Sequence, residues 1–342
     1  MRKLILAANT AFLIVVGFVL VPGRCNALYP IFDNSTQKFG YIDCHGKLVV
    51  SPQFNRAYDF SEGLGKIEIG TDVHPYVGYV DLQGRIAIGA EFGDTGAFSS
   101  FSEGTSAILT SKGWGFIDRK GRTLFVLDDA SANVTPPLES FSNGLALVFV
   151  KQGVKYVDKT GHMMFGKYFS LGTSFKGGVA AVEQGEEYGV INLKGRYLVR
   201  PQHNEISLSE DGTIRIKRKL KWYYYSTSMK FLFSSTRELD FSEGLAFFEE
   251  RDKFGVINKY GKVVVKPKYD TPLILAGFSE GLGVVALNGK QGAIDELGRV
   301  RIPLIYDSLA PMKNGLMKFL KGNNFGYIDQ KGQTIWQSIG AK

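Results

Sequence analysis

The chain has 342 residues, among them 41 Gly, 25 Phe and 16 Tyr, and charged residues make up 22% of it. That mixture excludes a disordered polymer, and the lack of long apolar runs at helical spacing beyond the N-terminus excludes a helical bundle. A formal net charge of +8 permits attraction to anionic surfaces without selecting a partner.

The N-terminus reads as a separate object. Arg2 and Lys3 precede an apolar stretch, Leu4 to Val21, broken only by Asn9 and Thr10 and ended by Pro22 and Gly23. This is the pattern of a secretory signal peptide, with Cys25 and Ala27 as the small residues before a cut after Ala27. The expected division is therefore residues 1–27 as signal peptide and 28–342 as the folded array. An uncleaved membrane anchor over residues 4–21 is the alternative, since that length is near the lower limit for a spanning helix. A lipoprotein signal ending at Cys25 is disfavoured by Arg24, which stands where a small residue is wanted. A cut after Ala27 removes three cations and no acid, taking the net charge to +5. It also leaves Cys44 without a partner, so no internal disulfide is expected. The expected location is extracytoplasmic: periplasmic, secreted or at the cell surface.

From Leu28 onward the chain repeats. One ten-residue block reads KFGYIDCHGK at 38–47, GWGFIDRKGR at 113–122 and KFGVINKYGK at 253–262, and its Asp position falls at 43, 81, 118, 158, 192, 226, 258, 295 and 329. Nine copies at a period of about 36 residues define a tandem array. A second block, FSEGL at 60–64, recurs at 101–105, 141–145, 175–179, 241–245 and 278–282, with weaker copies at 209–212 and 312–316. A third reads SPQF at 51–54, RPQH at 200–203, KPKYD at 266–270 and IPLIYD at 302–307.

Each block has a physical reading. Asp-x-x-Gly is a hairpin turn: the carboxylate bonds the backbone, and Gly takes the left-handed position of a type I turn with a bulge. Ser-Glu-Gly is a second turn signal. The glycine ahead of each Asp-x-x-Gly turn lets another backbone or ring come close. Pairs such as Tyr41-Ile42, Phe116-Ile117 and Tyr327-Ile328 put apolar groups on both faces of a strand, so each copy needs a neighbour on both sides. Pro267, without an N–H, is expected to end pairing of its strand.

On these residues the chain resembles the WG-repeat family of bacterial proteins. Trp114-Gly115 is the signature itself, and Phe39-Gly40, Val77-Gly78, Tyr188-Gly189, Phe254-Gly255, Gln291-Gly292 and Phe325-Gly326 hold the same slot. The resemblance spans about residues 38–336. It implies an all-β repeat and no particular activity or substrate. The expected fold is therefore all-β: about nine copies of roughly three short strands each, in an open twisted or solenoid-like array. The alternative is a closed β-propeller, reached if the degenerate first copy (Leu28 to Phe32) and the shortened last copy pair with each other.

Function on a regular array is sought where the pattern breaks. Asp128 to Ser140 lengthens one connection into a polar loop, read as a tolerated surface insertion. The junction of the fifth and sixth copies is the candidate binding surface. There Arg215, Lys217, Arg218, Lys219 and Lys221 run into Trp222, Tyr223, Tyr224 and Tyr225, while Tyr223 replaces the usual glycine, Ser226 the turn Asp and Met229 the turn Gly. Cations beside exposed aromatics suit an anionic polymer, acidic protein or membrane face; export makes nucleic acid unlikely. The plainer reading places Ile214, Ile216 and Leu220 in the core and the cations in water.

No nucleophile elbow, phosphate loop or paired-His metal motif is present in the sequence. His45, His74, His162 and His203 share no zinc spacing, Cys44-His45 lack partners at a known spacing, and the repeated acids are explained by their turns. No catalytic residue, cofactor or metal is expected. Asn34-Ser35-Thr36 and Asn133-Val134-Thr135 match a glycosylation pattern that matters only in a eukaryotic secretory route. The expected function is an exported, non-enzymatic scaffold that binds a protein or cell-envelope polymer, with membrane contact only through an uncleaved leader. The alternatives are an extracytoplasmic polysaccharide-acting enzyme and a purely structural spacer.

Overall fold

The computed structural model describes residues 25–70, 75–93, 100–127, 138–270 and 277–338. The leader before Cys25, the loop residues 128–137, His74 and Asn133 lie outside the described residues.

Described residues form thirty short strands and no helix. The strands make eight hydrogen-bonded sheets, all antiparallel between sequence neighbours. One seven-stranded sheet spans two repeats, joined only where Gly93 faces Leu109, so the chain divides into nine units. Unit two shows the full set: a short leading strand a (Arg56–Ser61), then b (Leu64–Gly70), c (Pro75–Val80) and d (Ile86–Gly93). The three strands expected per repeat are b, c and d. Strand a keeps three residues in unit six (Ile206–Leu208), and it shrinks to two in units five and nine and to a single bridge in units four and eight.

The c–d connection is the expected Asp-x-x-Gly turn. In unit two Asp81 Oδ1 accepts the N–H groups of Gln83 and Arg85, both at 2.9 Å, and Gly84 has φ +76°. The a–b connection is the Ser-Glu-Gly turn. Its middle residues, Glu62 and Gly63 in unit two, both have positive φ (50° and 78°), the type I′ hairpin geometry. Antiparallel alternation puts a–b and c–d turns on one face of the molecule and b–c hairpins on the other.

Strand d bulges where it passes the WG-slot glycine. A Cβ on Gly40 would sit 2.8 Å from the Pro52 nitrogen, and one on Gly255 2.9 Å from the Pro267 nitrogen. Backbone meets backbone there, which only glycine allows. Pro267 does not end the strand as expected: d of unit seven runs Val263–Tyr269, and Tyr269 still pairs with Phe254 beyond the bulge. The missing N–H is harmless because the bulge leaves that position out of the ladder.

Apolar side chains on both faces of strand c are covered by neighbouring units. Tyr41 and Ile42 are at most 1% exposed, as are Phe116 and Ile117. An aromatic on strand c stacks on the first residue of the next unit's a–b block: Tyr41 on Phe60 at 5.3 Å, Tyr79 on Phe101 at 4.9 Å, Phe116 on Phe141 at 4.8 Å and Tyr156 on Phe175 at 5.0 Å between ring centres. Each such pair adds about 0.5–1.5 kcal/mol beyond its buried area.

The same joint closes the array. The turn glycine of each unit rests on strand d of the unit before: Gly84 on Val50, Gly121 on Ile88, Gly298 on Val265, and Gly46 of unit one on the Ile335 carbonyl of unit nine. Tyr327 of unit nine stacks edge-on with Tyr29 of unit one at 5.4 Å and donates to the Pro30 carbonyl at 2.7 Å. Of the two arrangements the sequence left open, the contacts select a closed ring. The ends do not pair into one sheet, since Tyr29–Asp33 bonds only within unit one. Closure comes from side chains and turns.

Cys25 and Cys44 form a disulfide. This corrects the expectation of no covalent tie, which assumed that Cys25 leaves with the leader. The bond fastens the residues before unit one to that unit's c–d turn.

Candidate ligand surface at the junction of units five and six

Two sets of polar side chains hold neighbouring units together, and they separate structural charge from available charge. On the turn face, each Ser of the a–b block donates to the next unit: Ser61 to the Phe101 carbonyl at 2.7 Å, Ser102 to Phe141 at 2.7 Å, Ser242 to Phe278 at 2.7 Å and Ser279 to Met312 at 2.7 Å. The adjoining Glu accepts backbone N–H groups from the next turn. Glu243 takes those of Glu280 and Gly281 at 2.8 and 2.9 Å, and Glu280 those of Asn314 and Gly315 at 2.6 and 2.8 Å. Asn314 Nδ2 then donates to the Phe60 carbonyl at 3.1 Å, carrying the belt past unit one. Reading these glutamates as turn formers missed this role. The available signal was a long acid at a left-handed position, where Asn or Gly is easier. On the opposite face Asp270 and Asp307, the last residues of the third block, do the same. Asp270 accepts from Lys253 of its own unit at 2.6 Å and from Asn288 N–H of the next at 2.7 Å.

The repeated acids are thus engaged. Arg85, Arg122 and Arg299 also reach back to Asp81, Asp118 and Asp295 at 2.6–2.7 Å. Their hydrogen bonds outweigh burial and hold these carboxyls below the usual range, Asp295 at about 2. Among the described residues, the only close His/Cys/acid trio with metal-ligand atoms is Cys25, Cys44 and His45, and there the two sulfurs are already bonded.

The candidate surface divides into a buried and an exposed half. Strand b of unit six is Ile214–Arg218 and strand c is Lys221–Tyr225. Arg215 is buried. Its guanidinium donates to the Leu239 and Leu208 carbonyls, both at 3.2 Å, and lies 3.2 and 3.5 Å from Glu238 and Asp240. Trp222 and Tyr224 are also in the core, with Tyr224 stacked on Phe233 at 4.4 Å and donating to the Arg237 carbonyl. Burial pushes the Tyr224 hydroxyl up to about 12. These three residues hold unit six to unit seven.

The remaining six meet solvent. Lys217 pairs with Glu205 at 2.6 Å and lies over the Trp222 ring at 5.2 Å. Arg218, Lys219, Leu220 and Lys221 form the tip of the b–c hairpin. Leu220, expected in the core, is 85% exposed there, while Ile214 and Ile216 are buried as expected. Half-buried Tyr223 and Tyr225 share the strand face away from Trp222 and both contact exposed Phe231, at 6.4 and 5.7 Å. Arg218 lies over the Tyr223 ring at 5.4 Å. Tyr223 fits in the glycine slot because strand d of this unit runs without a bulge there, placing Ser234 directly opposite. His203 of unit five, at the end of strand d, Tyr197–His203, feels the charge of Arg218. Partial burial and then the Arg218 charge push its imidazole below its usual value. The same strand borders a groove of about 690 Å³ lined in part by Arg196, Tyr197 and Arg200.

Small radial sheets closed into a ring by repeated joints define a propeller-like repeat protein. Three stretches, 39–70, 254–290 and 292–325, match the model of the WG containing repeat, so the chain carries WG repeats in these three regions. No curated protein matches it. A crystal structure of a eukaryotic initiation factor shares its fold with a TM-score of 0.54 at 13% identity, covering 91% of this chain and 96% of that one. AztD from Citrobacter koseri gives 0.44 at 11% identity, covering 91% and 92%. Hsv2 of Kluyveromyces lactis, with loop 6CD replaced by a Gly-Ser linker, gives 0.39 at 9%, covering 80% and 91%.

Proposed function

We propose that this protein is an exported, non-catalytic ring that binds an anionic cell-envelope polymer or an acidic protein surface at the junction of units five and six. The reading rests on one observation: the Arg218–Lys221 hairpin puts three cations and an exposed leucine beside the half-buried Tyr223 and Tyr225 and the exposed Phe231. Arginine over aromatic faces is a surface that binds extended anionic chains through both charge and stacking. The apolar leader and the Cys25–Cys44 disulfide support export, because disulfides persist in oxidising compartments.

The test replaces Arg218, Lys219 and Lys221 by Ser together and leaves Arg215 in place, since Arg215 is structural. Retention of the protein on its host's envelope fraction, and on poly-glutamate as a defined polyanion, is measured from 50 to 300 mM salt. Binding is expected to fall at least tenfold in the variant and to lose most of its salt dependence. Equal retention of variant and parent would sink the assignment.

A further inference from the structure

The disulfide and the burial of the first described residues bear on where the leader is removed. Cys25 is bonded to Cys44, and Cys44 N–H also points at the Cys25 sulfur at 3.1 Å. Ala27 and Leu28 are 1% and 2% exposed and belong to the core that joins unit one to units two and nine, with Phe60, Leu316 and Tyr327. Tyr29 pairs with Ile42 and donates its hydroxyl to the Asn314 carbonyl. Residues 25–29 are therefore built into the ring closure. A cut after Ala27 would discard one half of the disulfide and place a new ammonium group on a residue inside the core, where an unpaired charge is strongly disfavoured.

We propose that the leader is hydrolysed at the Gly23–Arg24 bond, upstream of Cys25, so that the mature protein keeps the Cys25–Cys44 bond. Water adds across that peptide bond, leaving a carboxylate on Gly23 and an ammonium on Arg24. Val21 and Gly23 supply small side chains three and one before this bond, the spacing a leader-cleaving peptidase reads. The assignment rests on the export reading above. It makes the staple on unit one's c–d turn a product of correct processing.

The full chain with its own leader is produced in an exporting bacterial host, and the extracytoplasmic protein is analysed by intact mass and N-terminal sequencing. Thiols are alkylated with iodoacetamide before and after reduction. The expected result is Arg24 as the first residue, no alkylation before reduction and two labels after it. A chain beginning at Leu28 with one thiol labelled without reduction would overturn the proposal while export itself stands. Diacylglycerol on Cys25, or an exported but uncut chain, would also overturn it. An uncut chain found only in the cytoplasm would remove the export reading together with the cut. As a second measurement, chains made to start at Arg24 and at Leu28 are compared; the shorter is expected to melt several degrees lower, and equal Tm values would contradict the structural reason given.

Discussion

The joint between units seven and eight and the joint between units five and six do the same mechanical task with different parts. At the first, Glu243 grips two backbone N–H groups of the next turn and Ser242 a carbonyl. At the second, Lys176 and Gly177 replace Ser and Glu, and an exposed ion pair from Lys176 to Glu210 at 2.5 Å stands where the double grip would be. The a–b turn of unit six carries an extra residue, Ser209 to Gly212, and Ser209 accepts from Phe241 N–H instead of donating. Carboxylate bonds to backbone N–H groups have fixed partners. A surface ion pair is worth about 0–1 kcal/mol and weakens with salt. Where the repeat is regular, polar groups go into holding the ring. Where it degenerates, they are released to solvent, and that is where the exposed cations and aromatics sit.

Substitutions rank the ties of the ring by size of effect, and the last pair separates the two joints. Phe241→Ala, which removes a ring packed on Tyr224 and Phe233, is expected to cost about 3–5 kcal/mol in urea unfolding, the price of a large core cavity. Cys44→Ser, opening a staple across a sequence separation of 19, is expected to cost about 2–4 kcal/mol, and Cys25→Ser should match it, with no further loss in the double variant. Glu243→Ala should cost about 1 kcal/mol, from two charge-assisted bonds at an exposed site, whereas Glu210→Ala should stay within about 0.5 kcal/mol. Equal losses at the two positions would erase the contrast drawn here. Acid acts on the regular turns. Because the folded carboxyls of Asp81, Asp118 and Asp295 lie below their unfolded value of 3.8, their contribution is complete above that pH and is lost as pH falls through the folded values, about 2 for Asp295. Asp295→Asn should flatten the decline of Tm between pH 4 and 2.

Local chemistry was legible in the chain, and long-range chemistry was not. The turn at Asp81, the two-faced packing of Tyr41-Ile42 and the crowding at Gly40 depend on residues within one or two strands, so spacing reveals them. The grip of Glu243 on unit eight is hidden because the same residue already has a local reason to be there. Ring closure is a sum of small rotations that no single repeat encodes. Arg215, Trp222 and Tyr224 were grouped with exposed neighbours because a run of cations and aromatics does not announce which members face inward. Alternation along the strand did carry part of that information, since Ile214 and Ile216 flank Arg215 and are buried with it. Cys25 was assigned to the leader because its size suits a cleavage site, and size says nothing of a bonded partner 19 residues on.

The seam between units nine and one has a mechanical consequence. It uses the aromatic stack and glycine-on-strand seat of the other joints, without an exchanged strand, while the turn-face belt passes over unit one from Asn314 to Phe60. Under force or protease, fracture should start at the joint with the fewest ties, beside Lys176 and Glu210, and not where the chain happens to be discontinuous. The surface proposed to meet a ligand therefore lies on the molecule's fault line, and an occupant there would act as a splint across it.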